Sequence, residues 1–451
     1  MHPREKYIGL ILAIAVSGGR ADRNRPGNQV LVSLRWIIAT RVTNMTAQSL
    51  TTQCCIAGGG PAGMMLGFLL ARAGIDVVVL EKHGDFLRDF RGDTIHPSTL
   101  ELTRELGLLD EFLQLPHHKV ERVGVQIGDA RITLGDFTGL PTTCKFLAFM
   151  PQWDFLNFLA AHGRRYRGFH LMMNTQATDL VFEGEQVTGV RAERDGAEVE
   201  IRADLVVAAE GRHSTLRERA GFAVEDIGAP MDVLWMRLSR KPADPSEAFG
   251  HIEAGRFFIM LDRGDYWQCA FVIAKGSAGT LMKQPIADFR RIILELSPWL
   301  GARVNEMKGF DDVKLLTVAV DRLKRWYRPG LLCIGDAAHA MSPVGGVGIN
   351  LAVQDAVAAA NILYQPLRDH AVTPDDLRKV EARREWPARV TQRIQVFIQN
   401  RVVSPVLAGT ERPKPPFVMK LVQWFPTLQR IPARLVGIGV RPEHIHTPEA
   451  P

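Results

Sequence analysis

Two glycine-rich segments hold the residues best suited to chemistry in this chain. The first is Gly335-Asp336-Ala337-Ala338-His339-Ala340-Met341-Ser342-Pro343-Val344-Gly345-Gly346-Val347-Gly348-Ile349-Asn350, which follows the apolar run Leu331–Ile334 and leads into an Ala-rich stretch. A strand closing on a carboxylate, then a glycine turn, then a helix start, forms a holder for a polar cofactor. Asp336 can accept hydrogen bonds from sugar-like hydroxyls. The glycines let backbone N–H groups approach a flat ring, and the helix N-terminus favours negative charge there. The second segment, Gly58-Gly59-Gly60-Pro61-Ala62-Gly63, is a G-x-G-x-x-G placed between an apolar run and a helical pattern. Gly58 makes the tight turn, Gly60 lets a pyrophosphate approach, and Gly63 permits close helix packing. Glu81, closing the next apolar run, is placed to hold ribose hydroxyls. This fingerprint implies a bound dinucleotide without distinguishing a flavin from a nicotinamide.

The elements that must position these residues are legible from periodicity. Gln53–Ala57 reads as a buried strand, Ala62–Ala73 as a helix and Val77–Leu80 as a second buried strand, the opening of a βαβ unit. Leu205–Ala209 ends at Glu210-Gly211, and Leu331–Ile334 ends at Gly335-Asp336. Between them, Leu171–Arg202 alternates as antiparallel strands, with turns at Glu183-Gly184 and Asp195-Gly196. Met231–Ser239, Phe257–Leu261 and Tyr266–Ala274 are β-rich with aromatics, so the pattern is a nucleotide-binding sheet assembled from distant pieces with a β-sheet inserted into it. After about residue 370 the chain is helical, basic and broken by Pro413, Pro415, Pro416, Pro426 and Pro432.

Composition narrows the functional classes. The 451 residues are 46% hydrophobic and 23% charged, enough chain for two or more globular domains. Most of the formal charge of +6 sits in residues 1–44, where seven bases face two acids, so the remainder is close to neutral and offers no nucleic-acid footprint. Tyr7–Val16 is an apolar run of signal-peptide length, too short to span a bilayer, and no small-x-small cleavage site follows it. Residues 1–44 are expected to lie outside the fold, as sequence upstream of a start at Met45, with a signal or membrane anchor as the alternative. The cysteines Cys54, Cys55, Cys144, Cys269 and Cys333 have no metal-ligand spacing. Buried free thiols and a reducing cytoplasm are the expectation.

The segment Glu210-Gly211-Arg212-His213-Ser214-Thr215-Leu216-Arg217, taken with the two glycine segments, resembles the class A flavoprotein monooxygenases, the aromatic-hydroxylase family, from roughly Gln53 to Leu363. Their three signatures are the glycine fingerprint, an Asp-Gly motif and a Gly-Asp motif, here in the same order, with Glu210 standing where the family has Asp. The resemblance implies an α/β fold: a Rossmann-like FAD-binding domain of glutathione-reductase type with an inserted antiparallel β-sheet substrate domain and a C-terminal helical segment. It assigns residues 45–116, 151–225 and 325–370 to the FAD-binding domain, 117–150 and 226–324 to the substrate domain, and 371–451 to the helical region. The implied cofactor contacts are Gly58, Gly60, Gly63, Glu81, Arg91, Gln152, Glu210, Gly211, Gly335, Asp336, Pro343, Gly345, Gly346, Gly348, Ile349 and Asn350. Arg91 suits an anionic cofactor through its permanent charge and forked donors.

In that family NADH or NADPH visits transiently to reduce FAD, O2 adds at the flavin C4a, and the resulting hydroperoxyflavin hydroxylates an electron-rich ring. Pro343 and Gly346 would then face the reacting end of the flavin, the positions to which a catalytic role is assigned. Strand alternation puts Tyr266 and Gln268 on one face and Trp267 on the other. Trp235, Tyr266 and Gln268 are the residues expected to line a pocket for an aromatic or quinone-like small molecule. His339 reads as part of the cofactor loop, and His96-Pro97-Ser98 as a helix entry capped by Ser98.

Other readings compete with this one. A flavin-dependent halogenase would carry Trp-x-Trp-x-Ile-Pro, which is absent. A ubiquinone-pathway-type hydroxylase would suit a quinone-like phenol and contact the inner face of a membrane through the amphipathic Phe417–Ile438, which otherwise reads as a packed cap or dimer contact. A flavin reductase without oxygen insertion shares the cofactor motifs. The expected protein is otherwise a cytoplasmic monomer or homodimer with no metal.

Overall fold

A computed structural model of the chain describes residues 48–87, 94–245, 249–411, 413, 419 and 424–450. Residues 1–44, Arg91 and most of 417–423 lie outside the described residues. The nucleotide-binding sheet forms as expected. Gln48–Ala57, Val77–Leu80 and Phe169–Met172 run parallel, as do Ala197–Ala208 and Leu331–Cys333, which pair Val206 with Leu331 and Ala208 with Cys333. The order along the sheet is Tyr327–Arg328, Leu331–Cys333, Ala197–Ala208, Gln48–Ala57, Val77–Leu80, Phe169–Met172. Strands sandwiched on both faces read as continuous apolar runs, and Ile56, Val79, Val207 and Leu332 are fully buried.

The helix Pro61–Arg72 crosses between the first two parallel strands and buries residues 62–71 without interruption. Gly67 is part of the reason: a Cβ there would come 2.6 Å from the Val79 side chain, so the helix lies close on the sheet only because that atom is missing. The long helix Gly348–Arg368 packs beside it, with Val353, Ala356, Val357 and Ala360 fully buried. That helix belongs to an apolar stretch, Val344–Arg368, long enough to cross a membrane by composition, but 78% of its apolar window is buried inside the protein. The hairpin strands Thr175–Glu183 and Gln186–Arg194 extend the sheet antiparallel from Ala197–Ala208. Asp195 and Gly196 both take positive φ, 50° and 82°, as a two-residue hairpin turn requires.

The second sheet has seven strands in the order Lys314–Leu316, Met231–Ser239, Tyr266–Ala274, Arg256–Asp262, Phe249–Glu253, Arg122–Ile127, Ala130–Asp136. Its two faces differ. Leu234, Met236, Phe258, Trp267 and Phe271 pack under Phe289 and Ile293 of the helix Ile286–Leu296. On the other face, Val233, Trp235, Ile259 and Ala270 lie beside Val318, while Ile259 and Val272 also pack with Val344 and Val403. Val344 belongs to the glycine segment Gly335–Asn350, so this open face of the sheet is the one that meets the cofactor turn. All five cysteines are buried free thiols, and burial pushes the Cys55 thiol up to about 12.

Candidate functional site

The three sequence motifs converge at the C-terminal ends of adjacent parallel strands, where open α/β sheets bind ligands. Gly58 follows Gln48–Ala57 with φ +108°, and a Cβ there would lie 2.4 Å from the carbonyl oxygen of Ala209, the residue before Glu210. A Cβ on Gly335 would lie 3.1 Å from that of Ala62 and 3.4 Å from that of Ala352. Glycine at these two points lets the first motif touch the second and the third touch the first. Gly63 serves packing, since a Cβ on it would come 2.0 Å from the Gly58 carbonyl. Gly60 is different. Among the described residues, nothing beyond its chain neighbours lies within 4 Å of a Cβ built there, which leaves the approach to the helix start open.

Two helix N-termini open onto this space without a side-chain cap. Pro61–Arg72 begins after Gly60, and Gly348–Arg368 begins after Val347. Both leave first-turn amides and the positive end of the helix dipole available to an anion. The turn before Gly348 is built to face a flat group. Gly345 and Gly346 take positive φ, 80° and 63°, and both are exposed, while Met341, Ser342, Val347, Ile349 and Asn350 around them are buried. Pro343 and Val344 are half-buried beside them.

The carboxylates divide into two kinds. Glu81 is buried at the end of Val77–Leu80 and accepts from the backbone N–H of Gly59 at 3.2 Å and of His83 at 3.0 Å. Asp336 is more open, its side chain 31% exposed with Arg212 at 3.5 Å. Glu210 is committed elsewhere. It accepts from the Ser214 hydroxyl at 2.6 Å and from the backbone N–H groups of Thr215 and Leu216, capping the short helix Thr215–Arg219. Burial pushes its carboxyl upward, and those hydrogen bonds oppose the shift. The extra methylene of Glu over Asp reaches this helix, and Gly211, with φ +86°, makes the turn between them.

Gln152 opens the helix Gln152–Gly163 half-buried, with no side-chain cap there. Ser98 does not cap its helix as expected. The N-cap position is His96, and the hydroxyls of Ser98 and Thr99 instead donate to Asn350 Oδ1 at 2.7 and 2.9 Å. His96 itself is fully buried against the Gly346 and Val436 carbonyls. His339 sits inside the third motif with its ring on Asp355 at 2.6 Å, and Asp355 also accepts from the Gly335 N–H at 3.1 Å.

Among the pocket candidates, Trp235 and Gln268 lie on the sheet face that meets Val344, and Gln268 Oε1 accepts from Arg263 Nε at 2.8 Å. Tyr266 shares that alternation but begins its strand opposite Ser239, beneath the Arg237 guanidinium at 3.8 Å from the ring centre. It lines an open polar groove with Asp265, Glu306 and Lys314. Two buried glutamines that touch the cofactor turn, Gln395 and Gln399, escaped the sequence reading. No cluster of metal-ligating residues occurs among the described residues.

The donor set suits FAD: two uncapped helix starts for phosphate and ring, two carboxylates for sugar and ribityl hydroxyls, and an exposed double-glycine turn for a flat ring. Residues 51–393 match the family described as FAD binding domain. The 6-methylpretetramide 4-monooxygenase of Streptomyces rimosus is 32% identical over 366 residues, covering 80% of this chain and 87% of that protein. The rifampicin monooxygenase of Streptomyces venezuelae is 26% identical, and the match covers 67% of this chain and 61% of that protein. In fold, the chain is similar to the anhydrotetracycline hydroxylase of Streptomyces rimosus, with a TM-score of 0.68 at 22% identity over 87% of this chain and 77% of that one. A 2-methyl-3-hydroxypyridine-5-carboxylic acid oxygenase superposes with a TM-score of 0.66 at 19% identity, over 88% of this chain and all of the other. The chain therefore belongs to the FAD binding domain family and is an FAD-dependent monooxygenase of the aromatic-hydroxylase type.

Proposed function

We propose that this aromatic monooxygenase hydroxylates a fused-ring phenolic or quinone-like substrate held between the Gly345–Gly346 turn and the open face of the seven-stranded sheet. The observation that carries this reading is the packing of Val344, next to the exposed double-glycine turn, with Ile259 and Val272 on the sheet face that also carries Trp235 and Ala270. The names of the relatives that act on 6-methylpretetramide and on anhydrotetracycline support a polycyclic ring.

Bound FAD supplies the redox and oxygen chemistry, with NADH or NADPH as the transient reductant. Glu81 holds the ribose hydroxyls and the amides after Gly60 hold the pyrophosphate, while Asp336 takes the ribityl chain. Gly345 and Gly346 would admit the ring edge, and the amides at the start of Gly348–Arg368 would favour negative charge beside them. Pro343 and Val344 close the turn toward the substrate, and the apolar sheet face keeps water out. Gln268, oriented by Arg263, offers an amide to a substrate oxygen. Arg91 and Gln152 complete the cofactor contacts in this proposal.

The test is to purify the full chain, record its visible spectrum, and follow NADH and NADPH oxidation with single-ring phenols, fused-ring phenols and quinones. The expected result is a yellow protein, faster nicotinamide oxidation with a fused-ring phenol, and a product heavier by one oxygen. Colourless protein that takes up no added FAD would refute the reading. Stimulated oxidation without oxygen in any product would move it to a reductase.

A further inference from the structure

The strand that leads into the cofactor turn loses its neighbour too early. His339–Ala340 pairs with Asp321–Leu323, with Asp321 opposite Ala340, and the pairing stops there. The backbone of Ser342–Val344 is nonetheless buried or half-buried, and its polar groups need partners. Several of these groups, and those of the strand before them, find partners on side chains of one helical stretch. Gln392 Nε2 donates to the carbonyls of Asp321 at 2.8 Å and Ala340 at 3.0 Å. Gln395 accepts from the Ser342 N–H at 3.2 Å and donates to the carbonyls of Ser342 at 2.9 Å and Val344 at 2.8 Å. Gln399 Nε2 donates to the Ser342 hydroxyl at 2.5 Å, and that hydroxyl accepts from the Val344 N–H at 3.2 Å.

All three glutamines are buried, at 1%, 3% and 0% exposure. A primary amide is the side chain that carries both halves of a peptide group, a donor and an acceptor. Spaced three and four residues apart, the glutamines lie on one helix face and stand in for the missing strand. The helix Pro374–Ile398 widens into a π-helical turn at Gln399–Val403. Such turns concentrate at functional sites, and here one carries both Gln399 and Val403, which packs with Val344 and the sheet residue Val272.

We propose that Gln395 and Gln399 are positioning residues for the flavin, fixing Ser342–Val344 so that the Gly345–Gly346 turn and the amides of the following helix meet the ring in one geometry. The inference rests on the FAD reading above. Gln392 holds the strand before the turn and so serves as an internal comparison.

The experiment substitutes each glutamine with Met, which keeps length and removes both polar ends. Circular dichroism of each variant checks the fold. The readouts are the flavin absorption band shape, the FAD dissociation constant by fluorescence titration, the flavin midpoint potential, and the rate of anaerobic reduction by NAD(P)H. Gln395→Met and Gln399→Met are expected to blur the flavin band, shift the potential, weaken FAD at least tenfold and slow reduction. Gln392→Met is expected to lower thermal stability while leaving band shape and potential as in the parent. If Gln395→Met does not fold, Gln399→Met decides, since it removes one hydrogen bond to a hydroxyl. Folded variants with the parent's band, potential and reduction rate would overturn the proposal, as would Gln392→Met moving them equally. A parent protein that binds no FAD would instead overturn the functional reading.

Discussion

The imidazole of His96 and the carbonyl of Gly346 meet at 2.9 Å, so a fully buried histidine holds the second glycine of the cofactor turn. Its other nitrogen lies 2.7 Å from the Val436 carbonyl. A neutral imidazole donates through one nitrogen alone, so both contacts become hydrogen bonds only in the protonated ring. Burial pushes the pKa below its ordinary 6.5, and the two carbonyls pull it partway back. The folded protein thus binds this proton more weakly than the unfolded chain. Stability is full above 6.5 and declines as the pH falls below it, by on the order of 1 kcal/mol per unit of depression. His162, also depressed by burial and then by Arg165, adds to the same window. His96→Gln keeps one donor and removes one titration, so urea midpoints at pH 7 and pH 5 should differ less in the variant than in the parent. An unchanged difference would refute this account.

Two glycines of one motif should respond in opposite ways. Gly58→Ala combines a backbone at φ +108° with a Cβ 2.4 Å from the Ala209 carbonyl, and should cost on the order of 3 kcal/mol or more. Gly60→Ala meets no atom of the described residues within 4 Å beyond its chain neighbours and has an ordinary φ of −77°. Its stability should stay within about 0.5 kcal/mol of the parent. FAD affinity should nevertheless fall at least tenfold, about 1.4 kcal/mol, because the new methyl would stand in the path proposed for the pyrophosphate. Thermal denaturation of the apoprotein and FAD titration separate the two effects.

These glycines were legible because a βαβ turn needs them at fixed offsets, and the parallel strands were legible because double-sided burial leaves continuous apolar runs. Met231–Ser239 and Tyr266–Ala274 form over the expected residues. Alternation gave the face of Tyr266 but not its surroundings, where pairing with Ser239 puts it in a polar groove. Glu210 carries no local sign that its carboxylate caps the helix at Thr215. Gln395 and Gln399 were invisible because a glutamine in a basic helix has no spacing signature, and its partner, a backbone without a strand neighbour, exists only once the chain has folded.

Asp336 should separate cofactor binding from folding. Its side chain is 31% exposed, and its ion pair with Arg212 is long at 3.5 Å, so Asp336→Asn should change stability by no more than about 1 kcal/mol. Losing a charged acceptor for a ribityl hydroxyl should weaken FAD by roughly 10- to 100-fold, the equivalent of about 1.5–3 kcal/mol. Isothermal titration of apoprotein with FAD measures it. Parent-like affinity would remove Asp336 from the cofactor contacts.

A buried chain of charges ties the third motif to the C-terminal tail, and breaking it should be costly. Asp355, fully buried, accepts from His339 at 2.6 Å and from Arg384 Nε at 2.9 Å, and Arg384 reaches Glu443 at 3.1 Å and the Arg441 carbonyl at 3.0 Å. Burial pushes the Asp355 carboxyl up, but His339 and Arg384 together hold it below its ordinary 3.8. The sign is that of a depressed carboxylate: its contribution is present above 3.8 and is lost as the pH falls further. Asp355→Asn leaves a buried guanidinium short of its counter-charge and should cost about 3–5 kcal/mol at pH 7. Arg383→Ala removes a partner of Glu443 that is itself 34% exposed, and should cost about 1 kcal/mol or less. Because Asp355 also holds the Gly335 N–H, the Asn variant should bind FAD more weakly at temperatures where it stays folded, whereas Arg383→Ala should not. Urea denaturation with FAD titration of both variants checks the pair, and equal losses in the two would contradict the burial argument.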